Sequence, residues 1–98
     1  MTEVTAETTV ALLLATARRL PEAVNEAKTG KWGAWSLYYM CGVGVHQSTV
    51  GIVGMGRIGV SVAEKLKAFK PARMLYHNRK PNNESIVRYF PTNSYRVA

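Results

Sequence analysis

The residues with the clearest chemical potential are Gly54-Met55-Gly56-Arg57-Ile58-Gly59. Their G-x-G-x-x-G spacing is what a chain needs to bring its backbone against a diphosphate. Gly54 permits a tight turn, and Gly56 has no side chain to hold a ligand off. Gly59 lets the following helix pack closely on the preceding strand. The free N–H groups and positive dipole end of that helix then face the anion, with Arg57 and Ile58 in the same turn. Three matched glycines alone are weak evidence. The competing reading is a structural glycine turn in some other α/β protein, and context decides between the two.

A second constellation follows: Leu75-Tyr76-His77-Asn78-Arg79-Lys80, with no carboxylate from Lys65 to Asn83. A dinucleotide fold that prefers NAD places Asp or Glu about 20 residues after the glycines, to bond the ribose 2′-hydroxyl. An acid there would repel a 2′-phosphate, whereas a guanidinium grips one through two parallel hydrogen bonds. Asn78, Arg79 and Lys80 therefore point to NADP(H) in preference to NAD(H). Against this stands the plain reading of two solvated loop charges.

These residues need a strand before the glycines and a helix after them. Thr49, Val50, Ile52 and Val53 form a short, nearly continuous apolar run, which predicts a strand buried on both faces. The glycine turn then opens a helix to about Phe69. Its apolar stripe is Ile58, Val62, Leu66 and Phe69, with Glu64, Lys65 and Lys67 turned to solvent. Pro71 ends it, and Arg73 to Tyr76 read as a second strand before the turn-like Asn78 to Asn83. Glu84 to Ala98 predict no clear element, and Pro91-Thr92-Asn93-Ser94-Tyr95 does not have the pattern of a next strand. Upstream, Ala6, Val10, Leu13, Leu14, Ala17 and Leu20 recur at helical spacing and predict a helix over Thr5 to Lys28, capped by Thr5 or Thr2. Pro21 must kink it or open a second helix, and Gly30 supplies the stop. Gly33 to Val45 form an aromatic, glycine-rich connector.

Composition narrows the function classes. The 98 residues carry 13 basic and 6 acidic side chains, a net charge of +7. Residues 1–56 hold four of each sign, so the whole excess lies from Arg57 onward. A nucleic-acid partner is not expected: Lys65, Lys67 and Lys70 fall on more than one helix face, and no recognised binding motif interleaves the charges. The longest strongly apolar run, Val10 to Ala15, is far short of the roughly 20 residues that span a bilayer. Cys41 has no internal disulfide partner, and two scattered histidines make no metal cluster. Glu3 and Glu7, with no early basic residue, do not suit a secretory signal or transit peptide, so a cytoplasmic location is expected.

In combination, several stretches resemble the D-2-hydroxyacid dehydrogenase family, most closely its glyoxylate/hydroxypyruvate reductases. They are Thr5-Ala6-Glu7 leading into Val10-Ala11-Leu12-Leu13-Leu14, Arg18-Arg19-Leu20-Pro21-Glu22-Ala23 and Gly30-Lys31-Trp32. Cys41-Gly42-Val43-Gly44, Gln47 to Gly54, and Arg57-Ile58 within the glycine motif complete the match, over about residues 2 to 82. The resemblance implies an oxidoreductase that reduces glyoxylate or hydroxypyruvate with NADPH, as a homodimer. By position, Gly56, Arg57 and Ile58 match the family's diphosphate-contacting turn. Arg79, Lys80 and Pro81 match its adenosine-phosphate loop. Trp35 matches a connector aromatic near the dimer interface and the neighbouring active site, although Trp32 and Trp35 also read as plain packing residues.

The resemblance implies an α/β chain: a hinge helix plus the first βαβ portion of a Rossmann-type doubly wound parallel sheet, incomplete. The expected division is hinge helix and connector at 1–47, a partial dinucleotide-binding unit at 48–83, and a divergent tail at 84–98. No catalytic residue is assigned, because the family's catalytic Arg, Glu and His match nothing here. His46 lies before the first strand and His77 at the ribose end. Two readings follow, an oxidoreductase portion that binds the cofactor, or a catalytically dead interaction fragment that pairs with full-length subunits.

Overall fold

The computed structural model describes residues 1–33, 39–78 and the backbone of 94–96. Helix α1 spans Thr2–Ala17, α2 Leu20–Lys28 and α3 Arg57–Leu66; strands β1, β2 and β3 span Thr49–Val53, Arg73–His77 and Ser94–Arg96. α1 starts earlier than its apolar spacing predicts. Met1 occupies the cap position and no side chain caps the helix, so neither Thr5 nor Thr2 has that role.

The break between α1 and α2 follows from Pro21. Proline has no N–H to give the carbonyl four residues back, and that carbonyl belongs to Ala17. Arg19 turns into the left-handed region (φ 56°) and α2 begins. The Ala17 oxygen left over accepts the N–H of Val43 at 2.9 Å, which docks the connector onto the elbow. Gly42 makes this approach possible. A Cβ there would fall well inside the van der Waals radius of the Ala17 oxygen and 3.0 Å from Arg18 Cα. At its far end α2 stops as Gly30 predicts: Gly30 takes φ 73°, and the Lys31 N–H donates to the Glu26 oxygen at 3.0 Å.

The sheet is parallel, in the order β1-β2-β3. Val50 pairs with Met74, Ile52 with Tyr76 and Val53 with His77. A parallel pair needs a crossover, and α3 with the 3-10 turn Lys67–Phe69 lies between the two strands in sequence. On the outer side of β2, Met74 pairs with Ser94 and Tyr76 with Arg96. The sequence pattern predicts no strand at Pro91–Tyr95. Backbone pairing with β2 creates one at Ser94–Arg96 without an apolar alternation to announce it.

The core is Ala6, Val45, Met55, Val62, Ala63, Leu66, Met74 and Tyr76. It lies on one face of the sheet, where α1 packs on α3 and α3 on β1. β1 is consequently not buried on both faces: Thr49, Gly51 and Val53 are exposed, Val53 to 87%. The predicted α3 stripe holds at Val62 and Leu66 and fails at its ends. Ile58 is exposed because it stands in the first turn, beyond the end of β1. Phe69 is exposed because the 3-10 turn, at three residues per turn, rotates it off the stripe. Lys65 also departs from expectation. It is tied to Glu3 of α1, and Ser61 donates to the same carboxylate at 2.9 Å.

Candidate functional site

The glycine turn sits at the carboxyl end of the parallel strands, where open α/β sheets bind ligands. Gly54 follows β1 with φ 96°, a conformation that favours glycine, and its N–H donates to the His77 oxygen at 2.8 Å. The last residues of β1 and β2 are thereby held together beneath the turn. Gly56 is extended (φ −89°, ψ −160°) and caps α3. A Cβ at Gly54 or Gly56 would meet nothing within 4 Å, so the space beside both residues is open. Gly59 is the opposite case. A Cβ there would overlap the Gly54 oxygen and lie 3.3 Å from its carbon, so only glycine lets α3 start this close to β1.

The first backbone bond of α3 runs from the Val60 N–H to the Gly56 oxygen at 2.9 Å. The N–H groups of Arg57, Ile58 and Gly59 precede that bond and face outward at the positive dipole end. No acidic side chain occupies this first turn, and the Arg57 side chain is exposed beside it. Open space, outward N–H groups and one guanidinium fit a diphosphate. Ile58 borders an adjoining groove of about 370 Å³, shared with Thr9, Leu13, Gly54 and Val62.

Asn78 follows β2 directly and lies half-buried at the same end of the sheet. Arg79, Lys80, Pro81 and Trp35 lie outside the described residues. Two contributions to the turn had no signal in the motif. One is the His77 carbonyl, a backbone group with no side-chain signature. The other is Met55, which occupies a variable position of the motif yet is 2% exposed. Among the described residues, no group of three His, Cys, Asp or Glu side chains is placed to hold a metal. Nor is any described helix long and apolar enough to cross a membrane.

On the connector, Trp32 meets Tyr39 edge to face with ring centroids 5.5 Å apart, and the Tyr39 hydroxyl donates to Glu26 Oε2 at 3.4 Å. Where α1 meets α3, hydrogen bonds from Lys65 and then Ser61 hold the Glu3 carboxyl below its usual range. The same carboxylate holds the Lys65 ammonium above its own.

The family profile described as D-isomer specific 2-hydroxyacid dehydrogenase, NAD binding domain, matches residues 10–96. A mouse protein named glyoxylate reductase/hydroxypyruvate reductase is 52% identical over 89 residues, covering 91% of this chain and 27% of its own length. The human protein of the same name is 49% identical over the same span. A crystal structure of a protein from Thermus thermophilus superposes with a TM-score of 0.81 at 40% identity, over 99% of this chain and 28% of that one. The chain thus spans about a quarter of the length of the relatives it matches.

Proposed function

Because the chain belongs to the D-isomer specific 2-hydroxyacid dehydrogenase family, through its NAD binding domain, we propose that it binds NADP(H) in preference to NAD(H), as the cofactor-holding part of a glyoxylate/hydroxypyruvate reductase. The observation that carries this reading is the glycine turn, open at Gly54 and Gly56 and closed at Gly59. Gly54, Gly56, Arg57, Ile58 and Gly59 hold the diphosphate. Asn78, Arg79, Lys80 and Pro81 receive the phosphorylated ribose, where the absence of a carboxylate from Lys65 to Asn83 removes the repulsion that would exclude it. When bound, the cofactor supplies a hydride for a 2-keto acid. This chain's own residues contribute binding and orientation. Hydride transfer also requires a substrate held beside a proton donor, and no described residue is assigned that role. In the whole protein the expected reaction is reduction of glyoxylate or hydroxypyruvate, in a homodimer whose Trp35 lies near the interface.

Titration of the chain with NADPH and NADH tests the cofactor reading. The expected result is tighter NADPH binding, with Arg79→Ala bringing the two affinities together. An unchanged ratio in Arg79→Ala removes the basis for the NADP assignment.

A second reading is favoured by α2. It has no buried residue, and Leu20, Val24 and the nearby Trp32 are about half exposed. A catalytically dead chain would cover this face by pairing with full-length subunits. Mixing the chain with an intact reductase distinguishes the readings, since a pairing fragment lowers the enzyme's activity and an inert one does not.

A further inference from the structure

Within the glycine turn, the residue with no place in the phosphate-binding motif is the most deeply buried. Met55 is among the largest fully buried side chains of the molecule and shares its cluster with Val45, Val62, Leu66, Met74 and Tyr76. Both of its neighbours are glycines, the residues that lose most conformational freedom on ordering. Gly54 is held by its bond to His77 and Gly56 by the start of α3. Between them, the turn is attached to the core through the Met55 side chain.

We propose that Met55 is a positioning residue for dinucleotide binding. Its thioether chain plugs the turn into the core, so that Gly56 and the N–H groups after it are ordered before the diphosphate arrives. A ligand that had to order two flexible glycines itself would bind more weakly by that entropy. An unbranched, adaptable side chain suits the gap between a turn, a helix and a strand end. The proposal rests on the cofactor reading above and adds a residue that does not touch the cofactor.

The test compares Met55→Ala, Met55→Leu and Leu66→Ala. Leu66 belongs to the same core at the opposite end of α3. Calorimetry gives the affinity for NADPH and for ADP-ribose, and thermal melts give stability. Both alanine variants are expected to lower Tm, on the order of 10 °C. Only Met55→Ala is expected to weaken both ligands, by about tenfold, and Met55→Leu should restore affinity. The proposal is overturned if Leu66→Ala weakens binding as much, or if Met55→Ala binds like the unaltered chain. If Met55→Ala does not fold, Met55→Val replaces it. Amide exchange at Gly56 is then read against the interior of α3, and a parallel loss at both overturns the proposal. Absence of binding by the unaltered chain overturns the cofactor reading together with this one, whereas normal binding by Met55→Ala overturns this one alone.

Discussion

Two carbonyl oxygens in this molecule sit where a neighbouring residue has no room for a Cβ. At the β1–α3 turn, Gly59 faces the Gly54 oxygen; at the α1–α2 elbow, Gly42 faces the Ala17 oxygen. Sterically the two are equivalent, yet they serve different ends. The first brings a helix close to a strand five residues away and leaves a dipole end open to a ligand. The second fastens a loop to a helix end 25 residues earlier and satisfies a carbonyl that Pro21 has stranded. On the proposed reading, one contact shapes a site and the other a scaffold.

The largest expected effects come from closing each gap. Gly59→Ala and Gly42→Ala both force backbone to move, and each should cost about 3 kcal/mol in a denaturant titration. They should differ in binding. Gly59→Ala should abolish NADPH affinity in whatever fraction remains folded, and Gly42→Ala should leave it near that of the unaltered chain. Equal loss of affinity in both would break the distinction between site and scaffold.

The same pair shows why one region was legible in the sequence and the other was not. Gly59 belongs to a local pattern: strand, turn and helix follow one another within 18 residues, so the glycine spacing read together with its flanking elements located the turn between β1 and α3. Gly42 acts on Ala17, and no local pattern connects them. Pro21 announced a break, but not where the freed Ala17 carbonyl would go. β3 was missed for a related reason, because its existence depends on pairing with β2 rather than on an apolar alternation of its own. Burial of β1 on both faces was the wrong expectation because a continuous apolar run records what a strand can bury. Among the described residues only one face receives helices.

Intermediate effects should come from the left-handed residues in each region. Lys70 (φ 56°) closes the 3-10 turn before β2, and its carbonyl accepts the N–H of Gln47 at 2.9 Å. Arg19 (φ 56°) opens α2, and its carbonyl accepts the N–H of Ala23 at 3.0 Å. An L residue in this conformation costs roughly 1–2 kcal/mol, and glycine gives back part of the gain through its freer unfolded state. Lys70→Gly and Arg19→Gly should each stabilise by up to ~1 kcal/mol. The Arg19–Glu22 contact at 3.9 Å is exposed and weak, so its loss should not reverse the sign. Destabilisation by Arg19→Gly alone would mean that the elbow relies on the Arg19 side chain as well as on backbone geometry.

The smallest effect addresses whether the two regions unfold together. Glu3 is a polar link between them: it sits in the first turn of α1 and accepts hydrogen bonds from Lys65 and from the buried Ser61 on α3. Glu3 is lowered from its usual 4.5, so its contribution is present above that value and is lost as pH falls through the folded-state pKa. Lys65 is raised from its usual 10.5, so its contribution is present below that value and is lost as pH rises through its own folded-state pKa. The link should therefore act across the range between the two, and Glu3→Gln should lower Tm only slightly there. The difference should shrink with added salt, because the pair is open to solvent, and disappear in acid, where Glu3 is protonated and as neutral as Gln. Hydrogen exchange decides what the link means for the comparison. If Glu3→Gln weakens protection in α1 and leaves β1 and α3 untouched, the helical scaffold opens independently of the glycine turn. If protection falls in all three together, site and scaffold form one cooperative unit, and the difference between Gly42 and Gly59 is one of geometry alone.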